Sequence, residues 1–341
     1  MKQSVLFAVL IVFIYNFSPS LASEGDRSPF YENCVKNCRI KNCTEDGANF
    51  TPETAHKQDF WAWLVGWQCR DECRYHCMWR TVDAYQERGY PIPKFHGKWP
   101  FRRVYGVQEP GSALASGLNL AAHVYMYHQL IEDYRFCYKH SPMIVFWHFF
   151  FCICTHAWAW STVFHARDTP FTEFMDYACA LSMVMILFIA AVIRLLFRKK
   201  KVALVIVLMS IMFFIHHVRY LYSGKVDYEY NMTVNIVIGM LATALWMVFS
   251  LGALCGGQHA ARRYVWRLVV FCKLSGAAVL LELFDFPPYL DYWDAHALWH
   301  LSTAPLPLLF YKFVMDDLDY MAAASKKCER SKSTKTDYKI A

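Results

Sequence analysis

The chain has 341 residues, of which 56% are hydrophobic and 17% aromatic, while charged residues make up only 18%. That balance excludes an ordinary soluble domain, which is less apolar and more highly charged. The formal net charge of +7 does not mark a nucleic-acid binder either. The basic residues sit in short clusters between apolar runs and in the C-terminal tail, not in a patch interleaved with aromatics.

Residues 1–23 read as a secretory signal peptide. Lys2 supplies the positive start, residues 5–15 form an apolar run too short to cross about 30 Å of hydrocarbon, and Ser20, Ala22 and Ser23 offer a cleavage site. An uncleaved anchor is the alternative, and in either case the next segment is expected to enter the lumen. Residues 24–108 then form a cysteine-rich domain with Cys34, Cys38, Cys43, Cys69, Cys73 and Cys77. An even number of cysteines in an oxidising compartment predicts disulfides, with 15 ways to pair six. In a cytosolic protein the same spacing, with His76 as a spare ligand, would prompt a zinc-finger reading. The other seven cysteines lie in or beside apolar segments and are expected to be free thiols used for packing. The Cys-x3-Cys spacings and Trp61, Trp63 and Trp67 predict short helices stapled together, and the proline-rich stretch 91–101 predicts an extended connector. Asn42-Cys43-Thr44 and Asn49-Phe50-Thr51 are glycosylation sequons, the first containing a disulfide candidate.

Seven apolar segments follow, at 111–131, 142–164, 173–193, 202–222, 233–254, 266–284 and 295–315. Each is close to the roughly 20 residues a spanning helix requires. The first is the most polar, with Asn119, His123 and His128, and the last is interrupted by Pro305 and Pro307. The expected fold is an all-α membrane protein: a seven-transmembrane helix bundle over 109–318, preceded by a disulfide-rich luminal domain and followed by a basic cytoplasmic tail, 319–341.

Orientation follows from two independent signals. A luminal N-terminal domain makes the first span run from lumen to cytoplasm. The loops on the cytoplasmic side then carry Arg135, Lys139, Arg194, Arg198, Lys199, Lys200, Lys201, Arg262 and Arg263, whereas the opposite loops carry Arg167 and Lys225 with Asp168, Asp227, Glu229, Asp285 and Asp291. The positive-inside rule agrees with the signal peptide. A third sequon, Asn231-Met232-Thr233, falls on the luminal side close to the membrane.

Ionisable groups inside a membrane are costly and therefore candidates for function. The second segment ends with Ser161 and His165, four residues apart on one helix face. The third opens near Asp176, and the last opens with His296 and His300, again four apart. Each piece alone is weak, but all five residues fall on one membrane side at similar depth. Three histidines with one open position form a catalytic zinc set, to which a carboxylate adds a proton acceptor and a hydroxyl an oxyanion donor. His156, His216 and His217 read as packed or hydrogen-bonded histidines, Lys273 as a structural residue, Asp168 as an ion-paired loop acid, and Asp285 as a supporting or solvated loop acid. A Ser-His-Asp triad on Ser161 would leave the His296/His300 pair without a task.

The order Ser-x3-His, Asp eleven residues later and a late His-x3-His resembles the CREST superfamily of seven-helix membrane hydrolases. Longer stretches are similar to the post-GPI-attachment-to-proteins factor 3 family of GPI-specific phospholipase A2-like proteins. They are Phe95-His96-Gly97-Lys98-Trp99-Pro100-Phe101, Gln108-Glu109-Pro110, the run from Trp160 to Thr169, Met175-Asp176-Tyr177, Leu283-Phe284-Asp285-Phe286-Pro287-Pro288 and the run from Asp294 to His300. The resemblance implies hydrolysis of the sn-2 acyl ester of GPI-anchored proteins in the Golgi, or alternatively the endoplasmic reticulum. It implies Zn2+ held by His165, His296 and His300, with Asp176 orienting or deprotonating water and Ser161 completing the zinc shell or assisting the oxyanion. The expected partners are GPI-anchored proteins with their lipid moiety, and the membrane, with no nucleic acid. Two alternatives are a ceramidase-like amide hydrolase and a non-enzymatic seven-helix receptor or GPI-protein sorting factor with a structural metal.

Overall fold

The structure is a computed structural model, and it describes residues 23–134, 143–224, 227–256 and 259–325. The signal segment up to residue 22, the tail from 326, and Arg135, Lys139 and Lys225 lie outside the described residues. Two compact units divide at Pro100 and Phe101.

The N-terminal unit is built on α1 (Pro29–Asn42), a short 3-10 turn at Ala55–Lys57, α2 (Phe60–Leu64) and α3 (Cys69–Glu87). Pro29 opens α1, where a missing N–H costs nothing, and the Asp71 carboxylate in the first turn of α3 accepts the Gln68 backbone N–H at 3.2 Å. Disulfides join Cys34 to Cys77, Cys38 to Cys73 and Cys43 to Cys69. The order is nested because α1 and α3 run antiparallel. Cys34 and Cys38 share one face, Cys73 and Cys77 share another, and each rung climbs one turn. A unit this small buries little apolar surface, so closing these loops matters; each bridge contributes about 3–4 kcal/mol in the chain-entropy account. Cys43, Cys69 and Cys73 come within metal-binding reach of one another, but disulfides occupy them. Among the described residues, Cys152, Cys154, Cys179, Cys255 and Cys272 are free thiols, as expected, while Cys137 and Cys328 lie outside the described residues.

The second unit is a helical bundle of α4 (Pro110–Tyr134), α5 (Ile144–Ala166), α6 (Pro170–Leu195), α7 (Lys200–Tyr222), α8 (Tyr228–Cys255), α9 (Trp266–Phe284), α10 (Ala295–Thr303) and α11 (Leu306–Ser325). Among the described residues, five helices are long and apolar enough to cross a membrane: α5, α6, α7, α8 and the stretch Arg262–Glu282 that contains most of α9. The other two expected spans depart from that standard for visible reasons. α4 has the length but carries a buried polar stripe of Ser112, Ser116, Asn119 and His123. The last segment is divided, because Pro305 has no N–H for the Leu301 carbonyl; Ala304 takes that carbonyl at 3.3 Å instead and the helix restarts at Leu306.

The helices close a ring. α4 packs on α5, α5 on α6, α6 on α8 and α8 on α9; α9 meets α10 and α11, and both return to α4. α7 packs on α6 outside this ring and exposes Leu204, Val205, Leu208, Met209, Met212 and Ile215. A helix so apolar with so little protein around it requires a lipid solvent. Inside the ring, Trp147, Phe150, Trp246, Phe249, Phe310 and Phe313 interlock edge to face. Next to them Arg194 grips Asp317 through Nε and Nη2 at 2.6 and 2.9 Å, and the Tyr264 hydroxyl donates to the same carboxylate at 2.6 Å. Arg267 pairs with Asp316.

The Arg194–Asp317 pair ties α6 to α11 with Asp317 buried and Arg194 mostly so, and removing one member strands a charge. Asp317→Ala is expected to cost about 3–5 kcal/mol and to lower the melting temperature in detergent. The double change Arg194→Met with Asp317→Leu is expected to recover most of that loss.

Candidate metal centre

The last turn of α5 leaves carbonyl groups without helical partners. Two of them, on His165 and Ala166, accept the backbone N–H groups of Glu109 and Gln108, each at 3.0 Å. That capping fixes the strand of chain entering α4 against the end of α5 and brings the Glu109 carboxylate onto His165 Nδ1 at 2.7 Å. Both side chains are buried. The Gln108 side chain also accepts the Asp168 N–H at 3.0 Å, holding the turn that leads to Pro170.

α10 starts where Asp294 caps the Ala297 N–H at 2.8 Å. The helix therefore presents His296 and His300 from consecutive turns on one face. Glu282, near the end of α9, accepts His296 Nδ1 at 2.8 Å through one oxygen and the Tyr228 hydroxyl at 3.0 Å through the other. The divided helix leaves the His300 carbonyl short of a helical donor. Asn119 of α4 supplies one at 2.8 Å and Thr303 another at 2.8 Å.

These restraints converge. His300 Nε2 lies 3.2 Å from His165 Nε2 and 2.9 Å from His296 Nε2, and the three ligand atoms lie within 4.8 Å of one another. A carboxylate only accepts, so Glu109 and Glu282 hold Nδ1 of His165 and His296 in the protonated form. In the neutral rings, the form that binds a metal, both Nε2 atoms then carry lone pairs on the side of His300 Nε2. One proton on His300 Nε2 can serve one of them, leaving the other without a donor from that ring. A cation at the centre satisfies all three at once. Zinc bonded tetrahedrally at ~2.0–2.1 Å spaces two nitrogens by about 3.4 Å, close to the separations found. The residues present therefore fit a zinc ion, with a carboxylate behind two of the three imidazoles.

Of the expected site residues, the structure brings His165, His296 and His300 together. Ser161 is buried one turn before His165, its hydroxyl 3.1 Å from that of Ser116 on α4. Asp176 is partly buried on α6 and lies outside the group of converging ligand atoms. Both ring nitrogens of His165 are engaged, by Glu109 and His300, so none is left to take a proton from Ser161 in a serine triad. His156 bonds Trp160 at 3.0 Å and approaches Cys179 at 3.3 Å, while His217 bonds Asn231 at 3.1 Å, as packed histidines do. Glu282 is the acid on α9 that bonds a ligand histidine, and Asp285 ends that helix in a left-handed conformation at φ 38°.

The loop from α9 to α10 is held by Arg102, which pairs with Asp291 at 2.7 Å, and by the close approach of α4. A methyl group on Gly111 would sit 2.2 Å from the Tyr292 carbonyl oxygen, so only glycine permits this contact. Gly111→Ala is expected to push that loop away, cost about 1–3 kcal/mol by overpacking, and loosen α10. Melting temperature and metal content of the purified protein, measured together, check it; unchanged values for both would show the contact to be slack.

Comparison with known proteins gives concordant matches. The model of the Per1-like family matches residues 60–318. The chain is 39% identical over 317 residues to Post-GPI attachment to proteins factor 3 of Drosophila melanogaster, covering 92% of this chain and 95% of that one. It is 42% identical over 302 residues to GPI-specific phospholipase A2-like PGAP3 of Danio rerio, covering 88% and 92%. Against the protein of the same name from Homo sapiens the identity is 38% over 305 residues, covering 89% and 92%.

Proposed function

This chain belongs to the Per1-like family, and on that premise we propose that it is a metal-dependent lipid hydrolase that remodels GPI anchors by cleaving the sn-2 acyl ester. The observation that carries the reading is the three-histidine centre with carboxylates behind His165 and His296, found in a relative of proteins named GPI-specific phospholipase A2-like. The metal we assign is Zn2+, held by His165, His296 and His300. When bound, it supplies Lewis acidity for an ester carbonyl and an activated water at neutral pH.

The chain's own residues do the rest. Glu109 and Glu282 fix the tautomer and orientation of two ligands, so Nε2 of each faces the centre. Asp176 is assigned the proton acceptor for the attacking water, and the Ser161 hydroxyl is assigned the donor to the developing oxyanion. Water attack on the carbonyl carbon breaks the acyl C–O bond; the proton taken up by the carboxylate goes to the departing alkoxide. The products are a free fatty acid and a lysolipid that stays on the anchor. His296 is the least buried of the three histidines, which gives the lipid a side from which to enter.

We count seven spans by adding α4 and the divided α10–α11 pair to the five that meet the length and hydropathy standard. We place the N-terminal unit and the histidines on the luminal side and the tail in the cytoplasm, in the Golgi membrane or that of the endoplasmic reticulum. The disulfides and the loop charges both support this orientation.

In cells lacking the protein, GPI-anchored proteins are expected to keep their unsaturated sn-2 chains. Wild type restores remodelling, whereas His165→Ala and His296→Ala do not. Mass spectrometry of the anchor lipids reads this out, and normal lipids in the deleted cells would end the proposal. Metal analysis should find one zinc per wild-type chain and none in His300→Ala.

Orientation has its own test. The Asn42 amide donates to the Cys38 carbonyl and its oxygen accepts from Lys57, both at 2.9 Å, whereas Asn49 is exposed. A glycan removable by endoglycosidase is expected at Asn49 and lost in Asn49→Gln, with Asn42→Gln migrating like wild type. A chain with no glycan on either residue would contradict a luminal N-terminal unit.

A further inference from the structure

Two grooves flank α1 in the N-terminal unit, and their charge differs. Residues 23–100 carry eleven Lys or Arg and eleven Asp or Glu, so the unit as a whole is neutral. One groove, of about 630 Å³, mixes Lys36, Arg39 and Arg74 with Glu32 and Glu45. The other, of about 600 Å³, is lined by Lys41, Lys57 and Arg80 with His76 and no carboxylate. In a neutral unit, three cations gathered without an acid amount to a local positive field facing an open concavity. Glu72, which is buried, reaches His76 at 3.9 Å but does not line the groove.

The groove is also rigid and rich in amides. Cys34, Cys38 and Cys77 form part of its wall, and the first two disulfides fix the spacing of its two sides. Asn33, Asn37 and Lys41 follow one another at four-residue intervals along α1, while His76 and Arg80 do so along α3. The bond from Lys57 to Asn42 sets one cation in place. Cations give charge-assisted bonds to phosphate oxygens, and asparagine amides donate to and accept from sugar hydroxyls. A groove of this size is within the range of small-ligand sites, and its pre-set walls reduce the ordering cost of binding.

We propose that this groove binds a phosphate-bearing glycan, the polar head of the GPI-anchored substrate, and so gives the enzyme a hold on its substrate separate from the histidine centre. The proposal rests on the reading of the chain as a GPI-anchor hydrolase, which supplies the glycan's identity. The unmodified Asn42 belongs to the site, because a glycan on its amide would fill the groove.

The test uses the full chain in detergent and a water-soluble GPI core glycan carrying its phosphates, with binding followed by calorimetry. The same glycan after dephosphorylation is expected to bind ten- to a hundredfold more weakly, the range for losing charge-assisted bonds. Lys41→Gln with Arg80→Gln is expected to weaken binding of the phosphorylated glycan by a similar factor without changing the melting temperature. Lys36→Gln with Arg74→Gln, which removes the same charge from the other groove, should leave the affinity as it was. Equal losses from both double variants would reduce the effect to general charge and overturn the site, as would competition by inorganic phosphate as effective as that by the glycan. Ester hydrolysis is measured separately. Glycan binding without hydrolysis supports the groove and sinks the hydrolase reading, whereas hydrolysis without glycan binding sinks the groove alone.

Discussion

Three imidazole nitrogens held within 4.8 Å of one another inside an apolar bundle are the constraint on which the rest of this unit depends. Their lone pairs repel unless something positive lies between them, and the two buried carboxylates behind them need that same positive charge to offset their desolvation. The bundle is organised to meet this cost. Chain from before α4 caps α5, α8 contributes the Tyr228 hydroxyl to Glu282, and α4 bridges to α10 through Asn119. Of the polar residues that lower the hydropathy of α4, Asn119 reaches the His300 carbonyl and Ser116 reaches Ser161.

The two ends of the bundle solve different problems. The aromatic interlock around Trp246 and Phe310, with the Arg194–Asp317 pair beside it, is a fastening of α5, α6, α8 and α11. It fixes the ring so that the opposite end can carry a strained loop. Asp285, Leu290 and Asp291 all have positive φ between α9 and α10. Each such residue costs on the order of 1–3 kcal/mol, which only an otherwise stable frame can sustain.

Much of this was legible before any coordinates. Ser161 with His165, and His296 with His300, are pairs four apart, and helical periodicity alone puts each on one face. The helix break was written in Pro305 and Pro307, and the bundle class in the apolar segments. Glu109 and Glu282 were not legible as partners, because nothing periodic connects residue 109 with 165, or fixes how α9 and α10 face each other. Gln108-Glu109-Pro110 stood out only as a family signature. Asp285 drew attention because acids in loops are common helpers, whereas Glu282, three residues earlier on α9, is the acid bonded to His296. The disulfide order was not legible either, because the spacing of the six cysteines leaves open how the helices that carry them face each other; it follows only once α1 and α3 are seen to run antiparallel.

That nested order also bears on the timing of biosynthesis. All three rungs close within the first 77 residues. At roughly 5–20 residues per second of synthesis, the remaining chain takes on the order of ten seconds to a minute to appear. Disulfide formation begins on the scale of seconds, so the N-terminal unit can lock while most of the bundle is still being made. A hairpin pairing each cysteine with its mirror across one antiparallel contact has few wrong partners available at that stage, because the five free thiols of the described bundle all lie later in the chain. The ladder thus protects against mispairing by its position along the chain as well as by its shape.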